Sequence, residues 1–350
     1  MGNIALTRRA LMGAAALVGA GTVTGCSSLP IPGLLGGGPA GITGMLDRLD
    51  PATFLDDDRV VIQANWSRPQ AVGEALGIDP SAALDDSSVP MTRMRSVLAT
   101  LPDELRVQMP DAPVDPLEKM TTRFLLTPTE AVSVYATPGV AALWVGGAEL
   151  VEEIEPMLEG MFLRDGDTLR IDPELDPQSE DQFLSTIAPV GDDLVLTMEE
   201  DTSHVDTDAS TMEHFEHLPT LLEALEVEDA HLMSAFRNRV EEVIPGVDAH
   251  APEWVWATRF DSPEEHTSLG AIHVDGDSAA YIRQMLDEEE KNYRDGPAVR
   301  PRIVDAELDG QIIRVTFAND PATEGKEASK VGHLHGHYTV GGPSWTPLGY

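Results

Sequence analysis

Three imidazoles stand at alternate positions in His333-Leu334-His335-Gly336-His337. In an extended segment they share one side, an arrangement suited to a transition metal. No cysteine accompanies them and the spacing matches no zinc motif. A second candidate is His214 with His217, interleaved with Glu213 and Glu216. On a helix, i and i+3 side chains from adjacent turns can grip one ion, with His204 as a third ligand. The same stretch also reads as the wet face of an amphipathic helix. Glu199, Glu200 and Asp201, like Asp56, Asp57 and Asp58, offer carboxylates without the ligand spacing of a calcium loop. There is no Gly-x-Ser-x-Gly elbow, no His-Glu-x-x-His, no phosphate-binding loop and no dinucleotide fingerprint. The expectation is a non-enzymatic protein without a cofactor.

The chain's single cysteine carries a different chemistry. Thr7-Arg8-Arg9-Ala10-Leu11-Met12 precedes an apolar run from Gly13 to Val23, which closes on Val23-Thr24-Gly25-Cys26. A basic start, a short apolar stretch and small residues before a cut make an export signal, too short to span a bilayer permanently. Arg8 and Arg9 resemble the twin-arginine signal, which a receptor reads. Val23 to Cys26 resembles a lipobox: the thiol forms a thioether to lipid, and small Thr24 and Gly25 admit the peptidase. Residues 1–25 are therefore expected to be removed. Cys26 would hold the mature chain at the membrane on the extracytoplasmic side. With no second cysteine there is no internal disulfide, and stability must come from a core.

Sixty acidic residues against 23 basic ones set a formal charge of -37 over 350 residues. Such a surface repels itself in dilute buffer. In molar salt the screening length falls to about 3 Å and the repulsion is tolerable. Lysine occurs only at positions 119, 291, 326 and 330. Acidic excess, scarce lysine and few aromatics resemble the proteins of salt-loving archaea, and the signal is similar to that of their twin-arginine-exported lipoproteins. The resemblance implies location and milieu; it stops at signal, lipobox and composition. No basic stripe exists to neutralise phosphates, so nucleic acid is excluded as a partner.

The supporting elements follow from periodicity. Residues 26–42 have a tether's Gly/Pro composition, a body spans 43–318, and 319–350 reads as a flexible His/Gly/Pro-rich tail. A short helix is expected near Met45 to Leu49, a strand over Arg59 to Gln63, and a helix over Pro69 to Leu76 capped by Ser67 with Gln70. Asn65-Trp66-Ser67 is also a glycosylation sequon. Strands are expected over Lys119 to Leu126, Glu130 to Val145, Phe162 to Ile171 and Phe183 to Met198, with a helix over Ala148 to Gly160. Met212 to Leu225, broken at Pro219, and His231 to Val243 have helical spacing. Further strands cover Trp254 to Phe260 and Ser268 to Val274; Ser278 to Glu290 is helical, and Arg302 to Leu308 with Gln311 to Phe317 forms a hairpin. Trp254 and Trp256 share a face, as core anchors or a ligand platform.

The order strand, strand, helix, strand, strand occurs twice. This predicts an α+β fold of two related halves, about 58–245 and 246–318, each an antiparallel sheet with helices on one face. The functional expectation is a lipid-anchored surface protein, a binding or structural module with unidentified protein or small-molecule partners. The alternative is a metal-handling lipoprotein using the terminal histidines.

Overall fold

The computed structural model describes residues 41–50, 61–77, 126–136, 139–158, 162–172, 185–225, 229–238, 247–262, 265–295 and 303–317. Lys119 to Leu125, residues 26–40 of the expected tether and the tail lie outside them, whereas Gly41 and Ile42, expected in the tether, open the first helix. Twelve strands are present among these residues: β1 Val61–Ser67, β2 Ala131–Ala136, β3 Gly139–Trp144, β4 Phe162–Asp165, β5 Thr168–Ile171, β6 Thr186–Val190, β7 Asp193–Thr197, β8 Leu232–Asn238, β9 Ala249–Phe260, β10 His266–Gly276, β11 Ile303–Asp309 and β12 Ile312–Phe317. The helices are α1 Gly41–Asp47, α2 Pro69–Leu76, α3 Val151–Ile154 between two 3-10 turns, α4 Leu218–Leu225 and α5 Ser278–Asp295. None of them is long and apolar enough to cross a membrane.

All twelve strands form one antiparallel sheet in the order β11-β12-β10-β9-β8-β1-β2-β3-β7-β6-β5-β4. This corrects the expected pair of sheets in two halves: the fold is mostly antiparallel sheet with a few helices. The overturning element is β8. His231 to Val243 has helical spacing, yet Leu232–Asn238 is a strand paired along its length with β1 on one side and β9 on the other. A central strand buried on both faces lacks the in-and-out alternation that would betray it, and its neighbours decide the outcome. Through β8 the sheet runs without a seam from residues before 245 to residues after 246.

The tight turns behave as their sequences predict. Gly166, Gly191 and Gly310 adopt positive φ at the β4–β5, β6–β7 and β11–β12 turns, the conformation such hairpins demand. Helix α2 has its expected bounds but not its expected cap: among the described residues no side chain caps it and Ser67 Oγ is buried without a partner, while Gln70 instead donates to the Thr127 carbonyl at 2.7 Å. The stretch after Ala148 is broken into 3-10, α and 3-10 turns, with Pro156 in the last. In the Met212 to Leu225 stretch the break falls at extended Phe215, and Pro219 sits in the first turn of α4, where its missing N–H costs nothing.

Two cores lie against this sheet. In one, Ile42, Met45 and Leu46 of α1 and Leu218, Leu221 and Leu225 of α4 bury against Ile62, Trp66, Val134, Leu143, Val195 and Val255. In the other, Tyr281 and Met285 of α5 pack with Phe236, Trp254, Trp256, Ile272, Val315 and Phe317. The two indoles are core anchors: Trp254 stacks on Phe236 with centroids 4.3 Å apart, and Trp256 meets Phe317 edge-on at 5.3 Å. Trp256 lies so close over Gly270 that a Cβ there would fall 1.9 Å from the ring, so only glycine fits.

Candidate functional site

A gathering of titratable side chains forms where α4 begins, over β9 and β10. Its geometry starts with Pro252. Proline has no N–H for the ladder and is tolerated in sheets at bulges. Here His273 pairs with Glu253 while Asp275 pairs with His250, so three residues of β9 are spanned by two of β10. This brings His250 and Glu253 into one cluster.

Glu253 is almost fully buried. Its two carboxylate oxygens accept the backbone N–H groups of Glu216 and His217 at 2.7 and 2.8 Å. A carboxylate from the sheet thereby satisfies donors at the entry to a helix, where negative charge is favoured. Arg237 of β8 stands beside Glu253 in register. Immediately above, the rings of His217 and His273 lie face to face, centroids 3.6 Å apart and 5° from parallel. Asp275 sits between two imidazoles, 3.4 Å from His250 Nε2 and 3.7 Å from His273 Nδ1.

His273 is nearly buried. Desolvation holds its pKa below the ordinary imidazole value; His217 and His250 push the same way, against Asp275 and Glu216. The ring is therefore neutral near pH 7, which is compatible with the stack, since only two imidazoliums at that distance would repel.

Parallel rings direct their nitrogen lone pairs edgewise and side by side, so they do not converge on one ion. Among the described residues no group of three or more His, Cys, Asp or Glu is placed to hold a metal. His217 belongs to the stack, whereas His214 ends the 3-10 turn Thr211–His214, and His204 belongs elsewhere. What the cluster offers chemically is proton uptake coupled to ring contact.

A second arrangement fastens α1. Arg48 Nε bonds Asp206 Oδ1 at 2.7 Å and Nη2 bonds Asp206 Oδ2 at 3.1 Å, while Nη2 also reaches Asp193 Oδ2 at 2.7 Å. The other Asp193 oxygen accepts Gly146 N–H at 2.8 Å. Asp206 adopts a left-handed φ of 55°, which Asp tolerates better than most residues. The two carboxylates raise the Arg48 pKa further and hold that of Asp206 down. Backbone bonds complete the seam: Asp50 N to His204 O, Asp206 N to Arg48 O and Thr211 N to Leu49 O. The His204 ring is buried here, with neither nitrogen hydrogen-bonded among the described residues. Burial lowers its pKa, against Glu199, Asp201 and Asp50.

Of the remaining predicted positions, Asn65 lies on β1, and its Oδ1 accepts from Ser234 Oγ of the neighbouring strand at 2.8 Å. A side chain engaged inside the sheet is a poor glycan acceptor once the chain has folded. Asp201 Oδ1 closes a local turn by accepting Ser203 N–H. Arg8, Arg9, Cys26, His333, His335, His337 and Asp56 to Asp58 lie outside the described residues. Sequence reasoning missed Arg48, Glu253, His250, His273 and Asp275. Only Pro252 inside a strand-like run hinted at the bulge that gathers four of them.

The chain matches no family model, no curated protein and no solved structure.

Proposed function

We propose that this protein is an exported, lipid-anchored module of the cell surface, non-enzymatic and adapted to high salt, held at the membrane through a lipid on Cys26. The observation that carries the reading is the single cysteine of the chain, standing directly after Thr24 and Gly25 at the end of an apolar run headed by Arg8 and Arg9. Two further features support it. The first described element, α1, begins at Gly41, leaving a Gly/Pro-rich stretch between Cys26 and the body. The scarce cations among the described residues include arginines each shared by two acids, Arg48 by Asp193 and Asp206, Arg164 by Glu152 and Glu155. Short forked pairs of this kind lose less to screening than distant charges do.

The test is Cys26→Ser in the native host. Loss of the protein from the membrane fraction, with the lipid mass absent from the product, is expected. Undiminished membrane retention of the variant, or an unmodified Cys26 thiol in the mature wild type, overturns the reading.

A further inference from the structure

We propose that the face-to-face His217 and His273 rings form a proton-operated latch: the start of α4 is held on the sheet while at most one ring is charged, and is released when the second is protonated. The inference stands on geometry at this cluster and is independent of the fate of Cys26.

Helix α4 is short, and its entry is attached at two points. One is the pair of backbone bonds to Glu253; the other is the stack of His217 on His273. Beneath them Leu218, Leu221 and Leu225 are buried in the core, so release uncovers apolar surface that is otherwise sealed.

The charged groups around the stack set the order of events. From the connection before α4 come Glu216 and His217 itself. From β9 come His250 and Glu253, from β10 Asp275, and from β8 Arg237. On β12, Arg314 is held by Glu307 of β11, and Glu223 of α4 is exposed. Glu253 is committed to the backbone bonds and flanked by Arg237. Asp275 lies between two imidazoles, within 4 Å of each. A first proton on either ring leaves the other neutral and the contact intact. A second must sit on a ring pressed flat against a charged one, where Asp275 is already divided between His250 and His273 and exposed Glu216 is screened by solvent. Imidazole is the side chain whose charge changes in this pH range, and interacting rings titrate as a pair in two steps.

The test is an NMR titration of the histidine rings in purified protein at molar salt, with amide exchange protection followed in the same samples. Two separated steps for the His217–His273 pair are expected. Protection at residues 218–222 should fall about tenfold or more at the second step, while β9 amides from Trp254 to Phe260 stay protected, the signature of a local opening. His217→Phe keeps a flat ring without a proton, so α4 should stay protected through the acid range. A single-step titration, protection that ignores the second step, or simultaneous loss of β9 protection overturns the proposal. So does a folded His217→Phe variant that opens at the wild-type pH. The wild-type titration decides the matter even if that variant fails to fold.

Discussion

Two helices of one layer are fastened to one sheet by different chemistry. At α1 the fastening is Arg48 between Asp193 and Asp206; the pairing raises the Arg48 pKa and lowers that of Asp206, so both favour their charged forms. At α4 it is a buried carboxylate on two backbone N–H groups, topped by two rings that must not both be charged. The first is an ion pair; the second, on the latch proposed above, is conditional on pH. Forked, short-range ion pairs are the kind that salt weakens last. Sensitivity to mild acid comes instead from buried histidines.

The largest change tests the background against which the two fastenings work. Trp254→Ala removes a fully buried ring from the opposite core and should cost about 3–5 kcal/mol. That loss should be the same at pH 8 and pH 5.5 in denaturant unfolding, because the ring packs in an apolar core whose side chains do not titrate between those values.

Glu253→Ala comes next. Two N–H groups lose their acceptor at a buried site, for a loss of about 2–3 kcal/mol. Exchange protection should fall at 216–222 and not around α1; equal loss at both would mean that the two fastenings are one cooperative unit.

Arg48→Met is expected to cost less, about 1–2 kcal/mol, since the guanidinium is partly open to solvent. The loss should be constant from pH 8 to pH 5. A penalty that shrinks on acidification would erase the contrast with α4.

The smallest effect is the slope of stability with pH in the wild type. His204, His231 and His273 all have folded-state pKa values lowered chiefly by burial. As pH falls through about 6.5 the unfolded chain therefore takes up protons first. Stability is full above that value and declines as pH drops toward the folded-state values. Replacing His273 by Asn should flatten the slope more than any change at Arg48; unfolding curves at several pH values give the comparison directly.

Much of the short-range structure was legible. The bounds of α2, the Asp-Gly turns after β4 and β11, and the shared face of Trp254 and Trp256 follow from local pattern alone. The Ser67 cap did not form, because that residue belongs to the last position of a central strand and its hydroxyl is buried in the sheet. His217 was legible as a candidate, but in the wrong company: the i and i+3 rule offered His214, whereas its partner His273 lies far downstream on β10. Nothing in the sequence near Arg48 distinguishes Asp193 and Asp206 from many other carboxylates in so acidic a chain.

By itself the sequence determined the charge, the turns and the elements whose periodicity is unambiguous, since those depend on residues within a few positions of one another. Tertiary structure alone decided that β8 is a strand, that one sheet replaces two, and that His217 meets His273. Each of those outcomes is a pairing between distant segments, settled by which partner completes the ladder or the core, and no local spacing records that choice.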